Sequence, residues 1–352
     1  MAVSEWDVVV VGAGIIGCSV ARELSRRGAR TIVLDARTAG AGATQASAGV
    51  LAPYIEAPAE GALQALTVRS LAMYDEFIAG VERDAGTAIE YRRCGTIEVA
   101  ADAASAARLT ALGEWIRSVG VDAEWLEAKA VSRLEASLGR TEGALHVPTH
   151  GYVRALQLTA GLLEAARGCG VVFHPGRRVE RMTYHDAGRV SVHSGTTSYI
   201  ADTVVMAAGS WSGTLTSATD VKPVRGQLLQ LRWPGPPITR VLWSDSCYVV
   251  PWTDGTLLVG ATVEDVGFDE RVTADGVRRL LEAATTLLPG ATDATFLEAR
   301  VGLRPATPSG LPLVARSSEH PSMVYATGHY RNGVLLAPLT AQLVADLILS
   351  QR

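Results

Sequence analysis

Val8-Val9-Val10-Val11-Gly12-Ala13-Gly14-Ile15-Ile16-Gly17 runs into a helical stretch and then into Thr31-Ile32-Val33-Leu34-Asp35. Four valines in a row are apolar on both faces, as suits a central strand of a parallel sheet covered by helices. The glycines follow at once, residues 15–28 have helical periodicity, and the second apolar run ends on an acid. Strand, GxGxxG, helix, strand, acid is the fingerprint of a dinucleotide-binding βαβ unit. Gly12 permits the tight turn, Gly14 lets backbone approach a pyrophosphate, and Gly17 allows close packing of helix on strand. The helix N-terminus at Ile15 and Ile16 offers N–H donors and a positive dipole end to the phosphates. Asp35 is placed to accept from a ribose diol, which argues against a 2′-phosphorylated nucleotide.

The fingerprint alone leaves nicotinamide and flavin dinucleotides open. The next residues are Ala36, Arg37, Thr38-Ala39-Gly40-Ala41-Gly42-Ala43 and Thr44-Gln45-Ala46-Ser47-Ala48-Gly49-Val50-Leu51-Ala52. After Arg37 there is almost no bulky side chain before Val50. Such backbone can pass close to a large flat ligand, with Thr44, Gln45 and Ser47 as donors to phosphate or ring atoms. A plain surface loop would usually carry more charge.

At 352 residues the chain is long enough for two domains. It is 48% hydrophobic and 19% charged, the composition of an ordinary soluble globular protein. A net charge of -4 leaves no electrostatic footprint for nucleic acid. No apolar run is long enough to span a membrane. Glu5 and Asp7 stand where a signal peptide would carry basic residues, so the valine run reads as a first strand in a cytoplasmic protein. Cys18, Cys94, Cys169 and Cys247 follow no CxxC spacing and read as reduced thiols. The seven histidines form no HxH or HExxH pattern, so no metal site is expected.

Further along, residues 62–84, 102–119, 153–167, 275–288 and 334–350 have helical periodicity. Residues 190–193 and 199–201 read as a hairpin, and 201–209 as a buried strand ending on small residues near the cofactor. Residues 226–231, 247–251 and 256–262 read as antiparallel strands joined by turns. The expected architecture is α/β with an α+β part: a Rossmann-like domain at 1–85, 145–220 and 297–352, carrying an inserted antiparallel-sheet substrate domain at 86–144 and 221–296.

Beyond the first forty residues, Ala207-Ala208-Gly209-Ser210-Trp211, Val224-Arg225-Gly226-Gln227, Tyr248-Val249-Val250-Pro251, Gly302-Leu303-Arg304-Pro305 and Gly328-His329-Tyr330-Arg331-Asn332-Gly333 recur in a telling order. Together these motifs resemble the glycine oxidase and D-amino acid oxidase family of FAD enzymes, most closely the thiazole-biosynthesis glycine oxidases of thiamine biosynthesis. The resemblance spans nearly the whole chain. It implies FAD extended along the first domain, with its ring at the seam with the second. It also implies Arg304 on the substrate carboxylate, Tyr248 on the same group, and Arg331 at the substrate mouth. The stretch from Ala48 would face the ring, Val179 would hold the adenine through its backbone, and Ala208, Gly209, Trp211, His329, Tyr330, Asn332, Gly333 and Val334 would complete the cofactor site. The family's glycine oxidases carry a histidine just before the tyrosine segment and a methionine in the following strand. Ser246 and Val263 stand there in this chain. No cysteine lies beyond Cys247, which implies noncovalent FAD. Homo-oligomers, tetrameric in the glycine oxidases, are implied as well.

The residues fit that chemistry. An arginine makes a bidentate pair with a carboxylate, a tyrosine hydroxyl adds a further contact, and orientation is most of what the protein must supply to a flavin reaction. The implied activity is oxidative deamination of glycine or a D-amino acid to a 2-oxo acid, ammonia and hydrogen peroxide, with molecular oxygen as co-substrate. A D-amino acid dehydrogenase passing electrons to a quinone, or a sarcosine- or proline-like secondary amine oxidase, could use the same clamp. Taken singly, Arg304 in Gly-Leu-Arg-Pro between apparent strands also fits a surface arginine. Likewise Tyr248 fits a core aromatic, and the 328–333 segment fits a helix-capping turn.

Overall fold

The computed structural model of the chain describes residues 4–185, 188–216 and 219–350. Strand β1 (Ser4–Val11) lies between β2 (Thr31–Leu34) and the strand Thr197–Met206, parallel to both. Val8, Val9 and Val10 are wholly buried, each contributing about 1.5–3 kcal/mol of hydrophobic stabilisation. Their alternation feeds two cores. Val8 and Val10 pack with helix α1 (Ile15–Arg26) and with Leu158, Leu162 and Val344 of the helices Ala155–Gly168 and Ala337–Leu349. On the opposite face Val9 and Val11 meet Val190, Val192 and Tyr199 of an antiparallel hairpin, so helices cover one face of the strand and β structure the other.

The junction of β1 with α1 is a three-way backbone crossing. Gly12 adopts φ +109°, and a Cβ on it would sit 2.3 Å from the Ala207 carbonyl oxygen. A Cβ on Gly17 would sit 1.9 Å from the carbonyl oxygen of Gly12. The glycines therefore act as the sequence reading requires, by letting backbone touch backbone. Helix α1 stops at Arg26, short of the expected residue 28, because Gly28 turns left-handed and the amides of Gly28 and Ala29 fold back onto the carbonyls of Ser25 and Leu24. The expected helix over 62–84 divides at Met73 into Ala62–Ala72 and Tyr74–Ala85. Ser70 and Tyr74, on either side of the break, donate to the carbonyls of Leu335 and Val334 at the cavity wall. The expected helix over 102–119 is present as Ala103–Ser118, opened by a capping box between Asp102 and Ser105.

A second eight-stranded sheet has the order Thr295–Ala306, Lys222–Arg232, Thr256–Gly260, Tyr248–Pro251, Val241–Trp243, Thr96–Ala100, Gly143–Val147, Glu124–Glu127. Every neighbouring pair is antiparallel except Val241–Trp243 with Thr96–Ala100. A Rossmann-like sheet with an inserted, largely antiparallel second sheet is thus the architecture. A small ladder of Val50–Leu51, Gly151–Val153 and Tyr91–Arg92 lies where the chain passes between them.

Two expected edges fall inside strands. Residue 297 lies within Thr295–Ala306, which pairs with Lys222–Arg232 along its length, and residue 145 lies within Gly143–Val147. Arg304, expected between strands, is inside the first of these. Gly302 and Pro305 look like breakers in sequence, but this is an edge strand, where a missing proline N–H is tolerated.

The crossing at Gly17 gives a direct test. Gly17→Ala should destabilise the protein by several kcal/mol, on the order of an overpacked core, and lower the flavin released on acid precipitation. Wild-type thermal stability with full flavin content would show that the crossing tolerates a side chain.

Candidate active site

One continuous cavity starts beside Arg178 and Val179, passes Asp35 and Ala36 at the end of β2 and the N-terminus of α1, and enters the seam with the second sheet. It ends among Glu56, Tyr248, Arg304 and Arg331. Of the residues expected to hold the cofactor or the substrate, four do not line it. Gly17 is beneath the crossing, Gln45 donates through its amide to the carbonyl of Val301, and Leu51 is core. Asn332 is buried in the turn that starts the last helix, where its carbonyl accepts from Leu336. All the others contribute to the lining.

At the nucleotide end Asp35 has a structural task the sequence did not disclose. Its two carboxylate oxygens accept from the backbone N–H groups of Ala13 (2.6 Å) and Arg37 (2.7 Å). Burial raises its pKa, against those two donors and the Arg37 charge. Each oxygen keeps a lone pair for a ribose hydroxyl. Gly14 caps α1 without a side chain, and the Thr44 hydroxyl accepts from the Ile15 N–H at 3.1 Å. Small residues at Gly12, Gly14, Gly42 and Ala43, an uncapped helix N-terminus and an acid at the end of β2 fit a dinucleotide. Arg37 is committed to protein: it forms a two-bonded pair with Glu270 and lies 4.7 Å above the Trp211 ring.

At the far end Arg304 and Tyr248 each rest on a glycine of the adjacent strand. A Cβ on Gly226 would lie 2.2 Å from an Arg304 guanidinium nitrogen, and one on Gly260 would lie 2.4 Å from the Tyr248 hydroxyl. The glycines let both side chains lie flat across the sheet. Arg304 donates to the carbonyls of Thr262 (2.9 Å) and Arg225 (3.4 Å), and among the described residues it has no carboxylate partner. Burial pulls its pKa below the usual value, with the nearby Arg331 adding to the effect. A half-buried cation with no carboxylate hydrogen-bonded to it is suited to receive an anion.

Arg331 differs. Its Nε and Nη2 each lie 3.0 Å from a Glu56 carboxylate oxygen. Burial pulls its pKa down, but the charge and hydrogen bond of Glu56, together with Tyr248 and Tyr330, raise it above its usual value. His329 is buried, hydrogen-bonded to Thr340 at 2.9 Å, and pushed by burial down to about 3, so it is a neutral structural imidazole rather than a base. Tyr330 between them is held at φ +49°, a costly conformation for a bulky residue, with its N–H donating to the carbonyl of Pro305.

Sequence reasoning missed Glu56, Gly226 and Gly260. Glu56 had a signal, since no charged residue occurs between it and Arg37. Gly226 stood in the Val224-Arg225-Gly226-Gln227 motif without its task being read, and Gly260 had no signal, because the task of each is set by the strand opposite. Ser246 is exposed, Val263 is 54% exposed, and neither lines the cavity.

Residues 7–347 match the profile of the family described as FAD dependent oxidoreductase (DAO). The chain is 36% identical, over 98% of its length, to the bifunctional protein ThiO/ThiG of a Nostoc species, of which it spans about half, 53%. The crystal structure of glycine oxidase from Geobacillus kaustophilus superposes with a TM-score of 0.94 at 32% identity, covering 98% of this chain and 94% of that one. That of iminodiacetate oxidase from Chelativorans sp. BNC1 gives 0.89 at 29% identity, covering 97% and 95%.

Gly226→Ala isolates the support of the guanidinium from the guanidinium itself. The added methyl should displace Arg304 and weaken binding of acetate to the flavin-loaded protein about tenfold or more, with flavin content unchanged. Unaltered acetate affinity by calorimetry would show that Arg304 does not bind the carboxylate from this position.

Proposed function

The chain belongs to the FAD dependent oxidoreductase family, and from that footing we propose that it oxidises a small amino acid, glycine or a D-amino acid. The reaction converts the amino acid, dioxygen and water to the 2-oxo acid, ammonia and hydrogen peroxide. The observation that carries this reading is Arg304, a desolvated guanidinium without a carboxylate partner among the described residues, at the closed end of a dinucleotide cleft.

When bound along this cleft, FAD would supply the redox chemistry, as acceptor of the hydride lost from Cα with dioxygen as the final oxidant. The protein's own part is placement. Arg304 takes the α-carboxylate through two parallel N–H donors, and the Tyr248 hydroxyl gives a further contact. Burial raises the Tyr248 pKa, against the neighbouring Arg304 and Arg331, so the phenol keeps its proton and donates. Fixing the carboxylate at these points aims Cα and the amine into the cavity, and the amine reacts in its neutral form. No side-chain base at Cα is needed, which accords with a neutral His329. The imine product hydrolyses to the 2-oxo acid. No cysteine lines the cavity among the described residues, which supports noncovalent FAD. The same reading includes a cytoplasmic location; among the described residues no helix is long and apolar enough to cross a membrane.

Arg304→Ala should leave FAD bound while lowering kcat/KM for glycine by about 30- to several-thousand-fold, the 2–5 kcal/mol of a desolvated charge pair. Arg304→Lys should recover only part, because an ammonium lacks the planar fork. For methylamine, which has no carboxylate, the loss in anaerobic flavin reduction should be much smaller. Equal proportional losses on both compounds would assign Arg304 to the flavin or the fold.

Self-association belongs to the same proposal. Val263, Val266, Phe268 and Val272 are exposed on one loop, with Phe296 and Leu297 exposed on the edge strand. These side chains support a homo-oligomer. Sedimentation equilibrium at micromolar concentration should give a multiple of the chain mass, and a monomer would remove this part.

A further inference from the structure

The reaction end of the cavity holds two guanidinium groups and one carboxylate, and their pairing is unequal. Arg331 meets Glu56 through two contacts of 3.0 Å and lies 5.9 Å from the centre of the Trp243 ring. Arg304 has only backbone carbonyls of Thr262 and Arg225. Glu56, Arg304 and Arg331 all line the cavity, and Tyr248 stands among them. The three charges sum to plus one. An amino acid with a neutral amine and one carboxylate carries minus one, and a dicarboxylate carries minus two.

We infer that Glu56 is a specificity-determining residue: by occupying Arg331 it makes this a site for monocarboxylates and turns away substrates with a second carboxylate. The inference rests on the proposed amino acid oxidation and adds to it the class of substrate excluded. Arg331 is chemically equal to Arg304 as a carboxylate receptor, and the Glu56 carboxylate already fills its fork. A second substrate carboxylate in this end of the cavity faces Glu56 as a like charge, where partial burial limits screening by salt. Glu56 itself is only 13% exposed at its side chain, so its charge is directed at Arg331 and the cavity rather than dissipated in solvent.

The test uses the FAD-loaded protein and Glu56→Gln, which keeps the shape and removes the charge. Acetate and malonate, neither oxidisable here, are titrated by calorimetry, and glycine and iminodiacetate are compared by anaerobic flavin reduction. The malonate-to-acetate affinity ratio should rise about tenfold or more in Glu56→Gln, and iminodiacetate should gain on glycine in the same sense. Glu56→Asp should restore the wild-type preference, and Glu56→Gln combined with Arg331→Gln should lose the gain. An unchanged ratio in Glu56→Gln, binding of neither acid to either protein, or a gain that survives loss of Arg331 would overturn the inference. Wild-type flavin that no amino acid reduces would count against the proposed reaction, while the malonate-to-acetate ratio would still judge the charge argument.

Discussion

A guanidinium lying flat on a glycine of the neighbouring strand sets the terms for the rest of the site. Arg304 sits opposite Val224 in the ladder between Lys222–Arg232 and Thr295–Ala306, and Gly226 faces Gly302 two residues along. Moving this register by one residue would send Arg304 to the other face of the sheet. The same strand serves the nucleotide end too. A Cβ on Gly302 would lie 2.9 Å from that of Ala46, so the loop of small residues closes directly on it. Leaving a cation half-desolvated is costly, and the two backbone carbonyls that accept from Arg304 offset only part of that cost. In the proposed reaction an arriving carboxylate would supply the rest.

Around this strand, the site is assembled by single hydrogen bonds between distant segments. Ser210 donates to the carbonyl of Leu303, next to Arg304. Tyr330 donates to that of Pro305, on its other side, and its left-handed backbone is stabilised by that contact. Thr327 donates to the carbonyl of Gly209. Arg37 and Glu270 tie the nucleotide end to the loop after the second sheet's third strand. Each contact is worth roughly 1 kcal/mol, or somewhat more where a charge is involved. Their value lies in over-determining the position of one strand from several directions.

The legible parts of this molecule were those set by local chemistry. Four valines, three glycines and an acid specify the βαβ unit because turn geometry and helix–strand contact are decided within thirty residues. Arg304 and Tyr248 were found through the resemblance, since an arginine beside Gly302 and Pro305 looks like a loop residue until the edge strand is seen. Gly260 was silent and the task of Gly226 unread within its motif, because each matters for the side chain that crosses it from another strand. Glu56 was passed over for a similar reason: its partner, Arg331, is 275 residues away. The break at Met73 likewise answers to Val334 and Leu335, far along the chain and outside the periodicity of 62–84.

In the proposed reaction Arg304 is the carboxylate receptor, with Arg331 held by Glu56. A crystal structure of the FAD-loaded protein with glycolate, the hydroxyl analogue of glycine, tests it most directly. Both carboxylate oxygens should lie about 3 Å from the Arg304 guanidinium, with the Tyr248 hydroxyl in hydrogen-bond range and the Glu56–Arg331 pair intact. Glycolate seated on Arg331 with Glu56 displaced would contradict it.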